Sequence, residues 1–312
     1  MPTVEPNTIP QKYKRFGLTK GFHPRPFESL RWLIKAQGGW GKSTFLSSIP
    51  NCLHLDIEGG AHSVVNSQAD RVPDEGGLSW EDLCGPEGLL NALLQDGKDS
   101  RGDPSKLPWR VLAFDTIDAM FNLFAANFCN RNNPAGKDLE SVGEYGKDGA
   151  GYGLVYARLV KVLTSLESYG YALVLACHEK ERQVTQKVKN EERTITVVRP
   201  VLGESIAKLL EARADISAVL RPKFREIEEP GRKVQLPDGK TTILPGKKKT
   251  VQSIVMQVEC SPAYQAKRRL LTFRGEIHLP IQNGWEAVKA VYDEAAAKLK
   301  EKLDAGGPLQ EV

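Results

Sequence analysis

Short apolar runs, set apart by polar and glycine-rich stretches, mark the first two thirds of the chain. Leu30-Arg31-Trp32-Leu33-Ile34-Lys35, Cys52-Leu53-His54-Leu55-Asp56, Arg110-Val111-Leu112-Ala113-Phe114-Asp115, Tyr171 to Cys177 and Asp215 to Leu220 each have the length of one strand. A continuous apolar run of that length, bounded by turn residues, is what a strand buried on both faces requires. Between these runs the period changes. Helices are predicted from Lys42 to a stop at Pro50, from Glu87 to Leu94, from Ile117 to Asn130 and from Ser205 to Arg213. Leu154, Val155, Leu159, Val162, Leu163 and Leu166 recur at helical spacing. Gly284 to Leu303 predicts a last amphipathic helix with Trp285, Val288, Val291 and Leu299 near one face. Strands alternating with helices imply an α/β fold, with a mainly parallel central sheet and helices on both faces.

The polar remainder divides the chain. Residues 1–28 read as an N-terminal arm, 29–221 as the core, and 222–312 as a C-terminal extension with a basic loop, strands and the terminal helix. Loops are expected over 59–80, 98–108 and 133–153. Glu179 to Arg199 is charged, with Thr/Val alternation near its end, and reads as a hairpin. Residues 222–250 are rich in Lys, Pro and Gly, with Pro237-Asp238-Gly239 as a turn, and Ser253 to Val258 reads as a strand.

Composition narrows the class only a little. Apolar residues at 40% and charged residues at 26% permit an ordinary buried core without staples. Cys52, Cys84, Cys129, Cys177 and Cys260 contain no CxxC pair, so a disulfide framework or zinc site is not expected; free thiols in a reducing cytoplasm are. No apolar run reaches the roughly 18 residues of a membrane span, and the first residues lack an apolar signal core. The formal charge of +4 does not by itself call for nucleic acid; its distribution matters more.

The first sign of chemistry is Ala36-Gln37-Gly38-Gly39-Trp40-Gly41-Lys42-Ser43-Thr44, between a predicted strand and a predicted helix. The phosphate-binding loop has the pattern G-x-x-x-x-G-K-[ST], and here Ala36 stands at the first position. Glycines let backbone N–H groups converge on phosphate oxygens, and the helix N-terminus adds partial positive charge. Lys42 would reach the β- and γ-phosphates of ATP, and the Ser43 hydroxyl would ligate Mg²⁺. Trp40 either packs against the sheet or shields the nucleotide.

Asp115 ends an apolar strand, where an acid holds Mg²⁺ through water. A general base must orient the attacking water, and Thr116 rather than an acid follows Asp115. Glu58, in Asp56-Ile57-Glu58-Gly59-Gly60, is the candidate; the alternative is a solvated loop acid. His178 follows the strand ending at Cys177, at the carboxyl end that faces ligands in parallel sheets. It would report the γ-phosphate or be a structural histidine.

These residues in this order resemble the RecA-like P-loop ATPases, and within them the small phage-encoded proteins of the single-strand-annealing or recombination class. The resemblance covers about residues 30–220 and rests on the P-loop, D-x-E-G-G at Asp56 to Gly60, the Asp115 strand, and A-x-H at Ala176-Cys177-His178. It implies that Glu58 is the catalytic acid and that His178 stands where relatives often carry a Gln sensor. It also implies DNA contact by the loops 133–153 and 179–200. In the second, Lys180, Arg182, Lys187, Lys189, Arg193 and Arg199 would meet phosphates, although Glu179, Glu181, Glu191 and Glu192 interleave with them and a solvated charged hairpin would look the same. Tyr145 and Tyr152 would stack on bases or serve packing. Such proteins form rings or filaments in which a neighbour supplies a cationic finger; Lys267, Arg268 and Arg269 are the candidates. The expected function is a DNA-stimulated ATPase acting on single-stranded DNA in phage-type recombination, with a single-strand-binding protein as a further partner. The competing readings are a helicase or loader motor and a nucleotide-gated adaptor with little turnover.

Overall fold

The computed structural model describes residues 25–64, 67–132, 141–145, 149–188, 191–228, 232–235, 241–244, 248–258, 267–268, 273 and 275–304. Its strands are β1 (Trp32–Ala36), β2 (Cys52–Asp56), β3 (Asp70–Val72), β4 (Val111–Asp115), β5 (Ala172–Val188), β6 (Glu191–Pro200), β7 (Ile216–Glu228), β8 (Arg232–Gln235), β9 (Thr241–Leu244), β10 (Lys248–Gln257), β11 (Lys267–Arg268) and β12 (Glu276–Leu279). The helices are α1 (Lys42–Ser47), α2 (Trp80–Cys84), α3 (Leu89–Asp99), α4 (Ile117–Arg131), α5 (Ala150–Ser168), α6 (Glu204–Arg213) and α7 (Gly284–Asp304).

The central sheet has the order β12-β10-β7-β1-β5-β4-β2-β3, and the run from β3 to β7 is parallel. β1, β2 and β4 are buried along their whole length, Lys35 of β1 and His54 of β2 included. Alternation sorts their side chains between two core layers. Trp32, Ile34, Ala113, Val174 and Ala176 face α1 and α7, while Leu33, Leu55, Leu112, Phe114 and Leu173 face the helices α2 to α6. Helices therefore cover both faces, and the chain has the α/β architecture its pattern implies.

Register places the site. Ala36 pairs with His178, Asp115 with Ala176, and Asp56 with Asp115. The carboxyl ends of β1, β5, β4 and β2 thus meet at one edge. β5, which carries His178, lies between the strand before the P-loop and the strand ending in Asp115.

The structure departs from the pattern in three places. β5 does not stop at Cys177 but runs on to Val188 and pairs antiparallel with β6. Residues expected as a basic loop after 222 instead continue β7 to Glu228, paired with β10 from Lys248↔Glu228 to Gln257↔Val219. Both segments are charged strands whose backbone groups are satisfied by antiparallel pairing, and Phe224 is 63% exposed. Apolar period carries no signal for the β7 segment, whereas the hairpin expected over Glu179 to Arg199 is present as β5 and β6. Leu154, counted on the inner face of α5, is half exposed, whereas Val155, Leu159, Leu163 and Leu166 are buried.

The C-terminal strands and helix belong to the same framework. β10 and β12 extend the sheet beyond β7, and α7 buries Trp285, Val288, Tyr292 and Leu299 against the first core layer. The Trp285 N–H donates to the Ser48 hydroxyl at 2.9 Å, which ties α7 to the end of α1. Cys52, Cys84, Cys129 and Cys177 are free thiols, and Cys260 lies outside the described residues. Among the described residues no helix is long and apolar enough to cross a membrane.

Candidate functional site

The loop 37–41 leaves β1 and turns into α1 through Gly41, whose φ of 83° lies in the left-handed region that glycine tolerates. The Phe45 N–H then returns to the Gly41 carbonyl at 2.9 Å and starts the helix. Gly38, Gly39, Gly41, Lys42, Ser43 and Thr44 line a cavity of about 320 Å³. Ala36 ends β1, and Gln37 donates through Nε2 to Glu181 at 3.3 Å. Trp40 is partly buried and packs against the first core layer.

Lys42 is buried, and its Nζ lies 3.2 Å from the carbonyl oxygens of Ala36 and Gln37. Burial lowers its pKa below the usual lysine value, against the opposing pull of Asp115, Asp118 and Glu58.

Across the cavity, the Ser43 hydroxyl donates to Asp115 Oδ2 at 2.5 Å. His54 Nε2 approaches the same oxygen at 3.3 Å from β2, and its Nδ1 meets the Ser47 hydroxyl at 3.3 Å. Burial alone would push the Asp115 carboxyl up. Hydrogen bonds from His54 and Ser43, with the charge of Lys42, outweigh it and hold the acid below the usual carboxylate range. A hydroxyl and an ionised carboxylate this close form a hard oxygen set, which fits Mg²⁺.

The turn after β2 explains the spacing of D-x-E-G-G. Asp56 accepts the N–H groups of Gly60 at 3.0 Å and Ala61 at 2.8 Å. Gly59 has φ 76°, and a Cβ there would meet the Gly76 carbonyl carbon at 2.5 Å. The Ile57 N–H donates to the Asp115 carbonyl at 2.8 Å. Glu58 is therefore held against the end of β4, lines the cavity, and accepts the Thr116 hydroxyl at 2.7 Å. Thr116 also caps α4, its oxygen accepting the Ala119 N–H at 3.3 Å.

His178 lines the same cavity. Asp118, in the first turn of α4, accepts both the His178 backbone N–H at 3.1 Å and its ring Nδ1 at 2.9 Å. Glu58 Oε1 is 3.4 Å from the same Nδ1. The hydrogen bond to Asp118 raises the His178 pKa, against burial and the charge of Lys42. Asp118 in turn is held below the carboxylate range: burial opposes ionisation, and the bonds from His178 overcome it. Glu58, Asp118 and His178 each place one donor atom within 4.8 Å of the others. Hydrogen bonding accounts for that closeness.

Next along β5, Glu179 is buried with Oε2 lacking a hydrogen-bond partner, and burial pushes its carboxyl up to about 7.

Lys42, Ser43, Glu58, Asp115 and His178, singled out from the sequence, thus share one cavity. Asp118, Thr116 and His54 were missed. The D-x-x-D spacing of Asp115 and Asp118 was the signal for the first, although an acid in a first helical turn usually serves the dipole. Nothing local distinguishes His54 from an ordinary core residue.

The remaining candidates are distributed as follows. Lys180 is exposed on β5; Arg182 and Lys187 lie in β5 and Arg193 in β6, their backbones forming the hairpin; Lys189 lies outside the described residues. Tyr145 stands edge-on to Phe128 at 4.9 Å, a packing contact, while Tyr152 is 44% exposed. Lys267 and Arg268 pair with Ser217 and Ile216 near the amino end of β7, and Arg269 lies outside the described residues. Ile216 is level with Trp32 at the start of β1, so this strand sits at the end of the sheet opposite the P-loop.

A P-loop at the carboxyl edge of a mainly parallel α/β sheet, with a carboxylate after β2 and His178 where β5 passes that edge, is the arrangement expected of a P-loop ATPase. A family model described as "AAA domain" matches residues 28–270, and the chain belongs to that family. No curated protein matches the sequence. Among the solved structures that match is the KaiC-like protein from the hyperthermophilic archaeon Pyrococcus horikoshii OT3, at 12% identity and a TM-score of 0.34, covering 81% of this chain and 91% of that one.

Proposed function

We propose that the protein hydrolyses ATP in this cavity and acts on single-stranded DNA in phage-type recombination, by annealing or strand exchange. The observation that carries hydrolysis is the position of Glu58. Its carboxylate lines the cavity that also holds Lys42, Ser43 and Asp115, aligned by Thr116 at 2.7 Å. A carboxylate so placed can align a water and accept its proton. Lys42 and the loop N–H groups bind and orient the phosphates. Ser43, and Asp115 through water, would hold Mg²⁺, which when bound neutralises phosphate charge. Asp118 fixes the His178 ring beside Glu58, where it can sense the terminal phosphate.

DNA contact is supported by the hairpin of β5 and β6, which grows directly out of the strand that carries His178. Gln37 of the P-loop and Glu181 of the hairpin root share a hydrogen bond, so the two regions touch. Lys180, Arg182, Lys187, Lys189 and Arg193 are the proposed phosphate contacts. Lys267, Arg268 and Arg269 would act on a neighbouring chain's nucleotide in a ring or filament, because β11 lies away from the P-loop of its own chain.

The test is ATP turnover with and without single-stranded DNA across a salt series. Turnover that rises with DNA, less so at high salt, and that falls on Glu58→Gln by about 10²–10⁴ supports the proposal. Unwinding of a forked duplex would favour a helicase or loader. ATP binding with negligible turnover, unchanged by Glu58→Gln, would make the protein a nucleotide-gated adaptor.

A further inference from the structure

β5 and β7 flank β1, and both run on past the edge where the P-loop leaves it. Val219 of β7 is level with Lys35, and His178 of β5 with Ala36. Two antiparallel ribbons therefore leave the sheet on either side of the P-loop: the hairpin of β5 and β6, and the ribbon of β7 and β10.

Alternation gives the β7–β10 ribbon two unlike faces. Leu220, Pro222 and Phe224 share one face with their partners Met256, Ile254 and Gln252, and this face continues the first core layer. The other face carries Arg221, Lys223 and Arg225 at every second position, opposite Val255, Ser253 and Val251. His278 of β12, in register with Val255, joins them there. Arg225 and His278 are exposed and Lys223 is partly so.

The strand opposite offers these cations no acid in register. Arg221 and Lys223 both turn to Glu276 of β12, Lys223 Nζ at 2.6 Å. Arg225 Nη2 donates instead to a ring nitrogen, His278 Nε2, at 2.6 Å. A histidine that accepts from a guanidinium is neutral. Burial, then the charges of Arg225 and Lys223, push its pKa below the usual histidine value. Cations crowded around a shared carboxylate repel one another, and an anion laid across them relieves that repulsion. Alternate residues of a strand are roughly 6.8 Å apart, comparable with the separation of neighbouring phosphates along a nucleic-acid strand. The backbone ladder holds the ribbon, which leaves these side chains available for binding.

We infer that the face carrying Arg221, Lys223 and Arg225 is a second contact surface for single-stranded DNA, across the P-loop from the hairpin, with Lys223 and Arg225 meeting neighbouring phosphates. The inference rests on the proposed action on DNA and gives the C-terminal strands a direct part in it.

Fluorescence anisotropy of a labelled oligothymidylate, titrated with the full chain across a salt series, tests it. Lys223→Ala with Arg225→Ala should weaken binding and flatten the log–log salt slope by about 1.4, from roughly 0.7 per phosphate contact. ATP affinity should not change. Lys223→Arg with Arg225→Lys should keep the slope, and so should Phe224→Ala on the opposite face. In the wild type, adding the oligonucleotide should move the His278 ring-proton titration to higher pH, because a phosphate beside the ring favours its charged form. An unchanged slope in the double alanine variant, or an unmoved His278 titration, would overturn the inference. Tighter binding of polyglutamate than of an oligothymidylate of equal charge would overturn it too, in favour of an acidic protein. If the hairpin lysine variant loses slope and this one does not, the second surface fails and the DNA reading stands. A wild type that binds no oligonucleotide would overturn the DNA reading itself.

Discussion

At the carboxyl edge of the parallel sheet, Lys42, His54 and Asp115 are all at least nine-tenths buried, and nearly every polar group meets a named partner across elements. Asp115 is met by Ser43 and His54, Glu58 by Thr116, and His178 by Asp118. The ribbon formed by β7 and β10 beyond Leu220 is the opposite case. It exposes Phe224 and Val251, and it is held by an antiparallel ladder of eight pairs, from Lys248↔Glu228 to Val255↔Arg221. Low dielectric at the first region makes each polar contact strong and each loss costly, whereas solvation in the second makes side chains interchangeable so long as the ladder stays paired. Chemistry is thereby concentrated where the geometry is over-determined.

The largest break of that contrast is Lys42→Ala. It removes a buried cation facing three acids, and triphosphate affinity should fall by about 100-fold or more, since charge-assisted hydrogen bonds contribute roughly 1.5–3 kcal/mol each. Titration with ATP and Mg²⁺ reads this directly, and undiminished affinity would remove Lys42 from the site.

Asp118→Asn tests whether the cavity acts through linked partners. The bond to Asp118 is the main reason the His178 pKa is raised. The stabilising interaction of charged His178 is fully present below the ordinary histidine value and is lost as pH rises through the raised one. The variant should lower the His178 pKa, seen in its ring-proton titration, and cut turnover by about tenfold, the loss of one hydrogen bond to a charged group. An unmoved titration would show that Asp118 does not set the His178 charge.

Replacing Lys187 and Lys189 together by Ala tests the charged segment around the hairpin of β5 and β6. ATP turnover without DNA should stay the same, while single-strand affinity falls and the log–log salt slope flattens by about 1.4, from roughly 0.7 per phosphate contact. An unchanged slope would take these lysines out of the DNA account.

The last effect, on stability rather than on ligand binding, lies where β5 leaves the sheet. Burial raises the Glu179 carboxyl from 4.5 to about 7. The folded chain therefore keeps a proton that the unfolded chain has lost, and stability declines as pH rises from about 4.5 to 7. Glu179→Gln should abolish that decline and stabilise the protein at pH 8 by about 1–3 kcal/mol. Parallel stability curves for the two proteins would refute the assignment.

Much of the site could be read along the chain because its parts are local. The P-loop needs consecutive residues, Asp115 ends a strand with an unbroken apolar run, and Asp56 with Gly59 writes a turn whose positive φ at Gly59 favours glycine. The alternation of apolar runs and helical spacing likewise gave the parallel core and its two helical faces. What could not be read depends on partners far apart in sequence. His54 sits beneath Asp115 because β2 and β4 are neighbours, 61 positions apart along the chain. Asp118 meets His178 because α4 begins beside the end of β5, 60 positions away. The β7 and β10 ribbon is stabilised by backbone pairing rather than by burial, so its charged residues carry no period to detect. Local sequence determined which groups could bind phosphate and where strands would end. Only the tertiary fold decided which charges those groups would face, because desolvation and hydrogen-bond partners belong to the assembled sheet and not to any one segment.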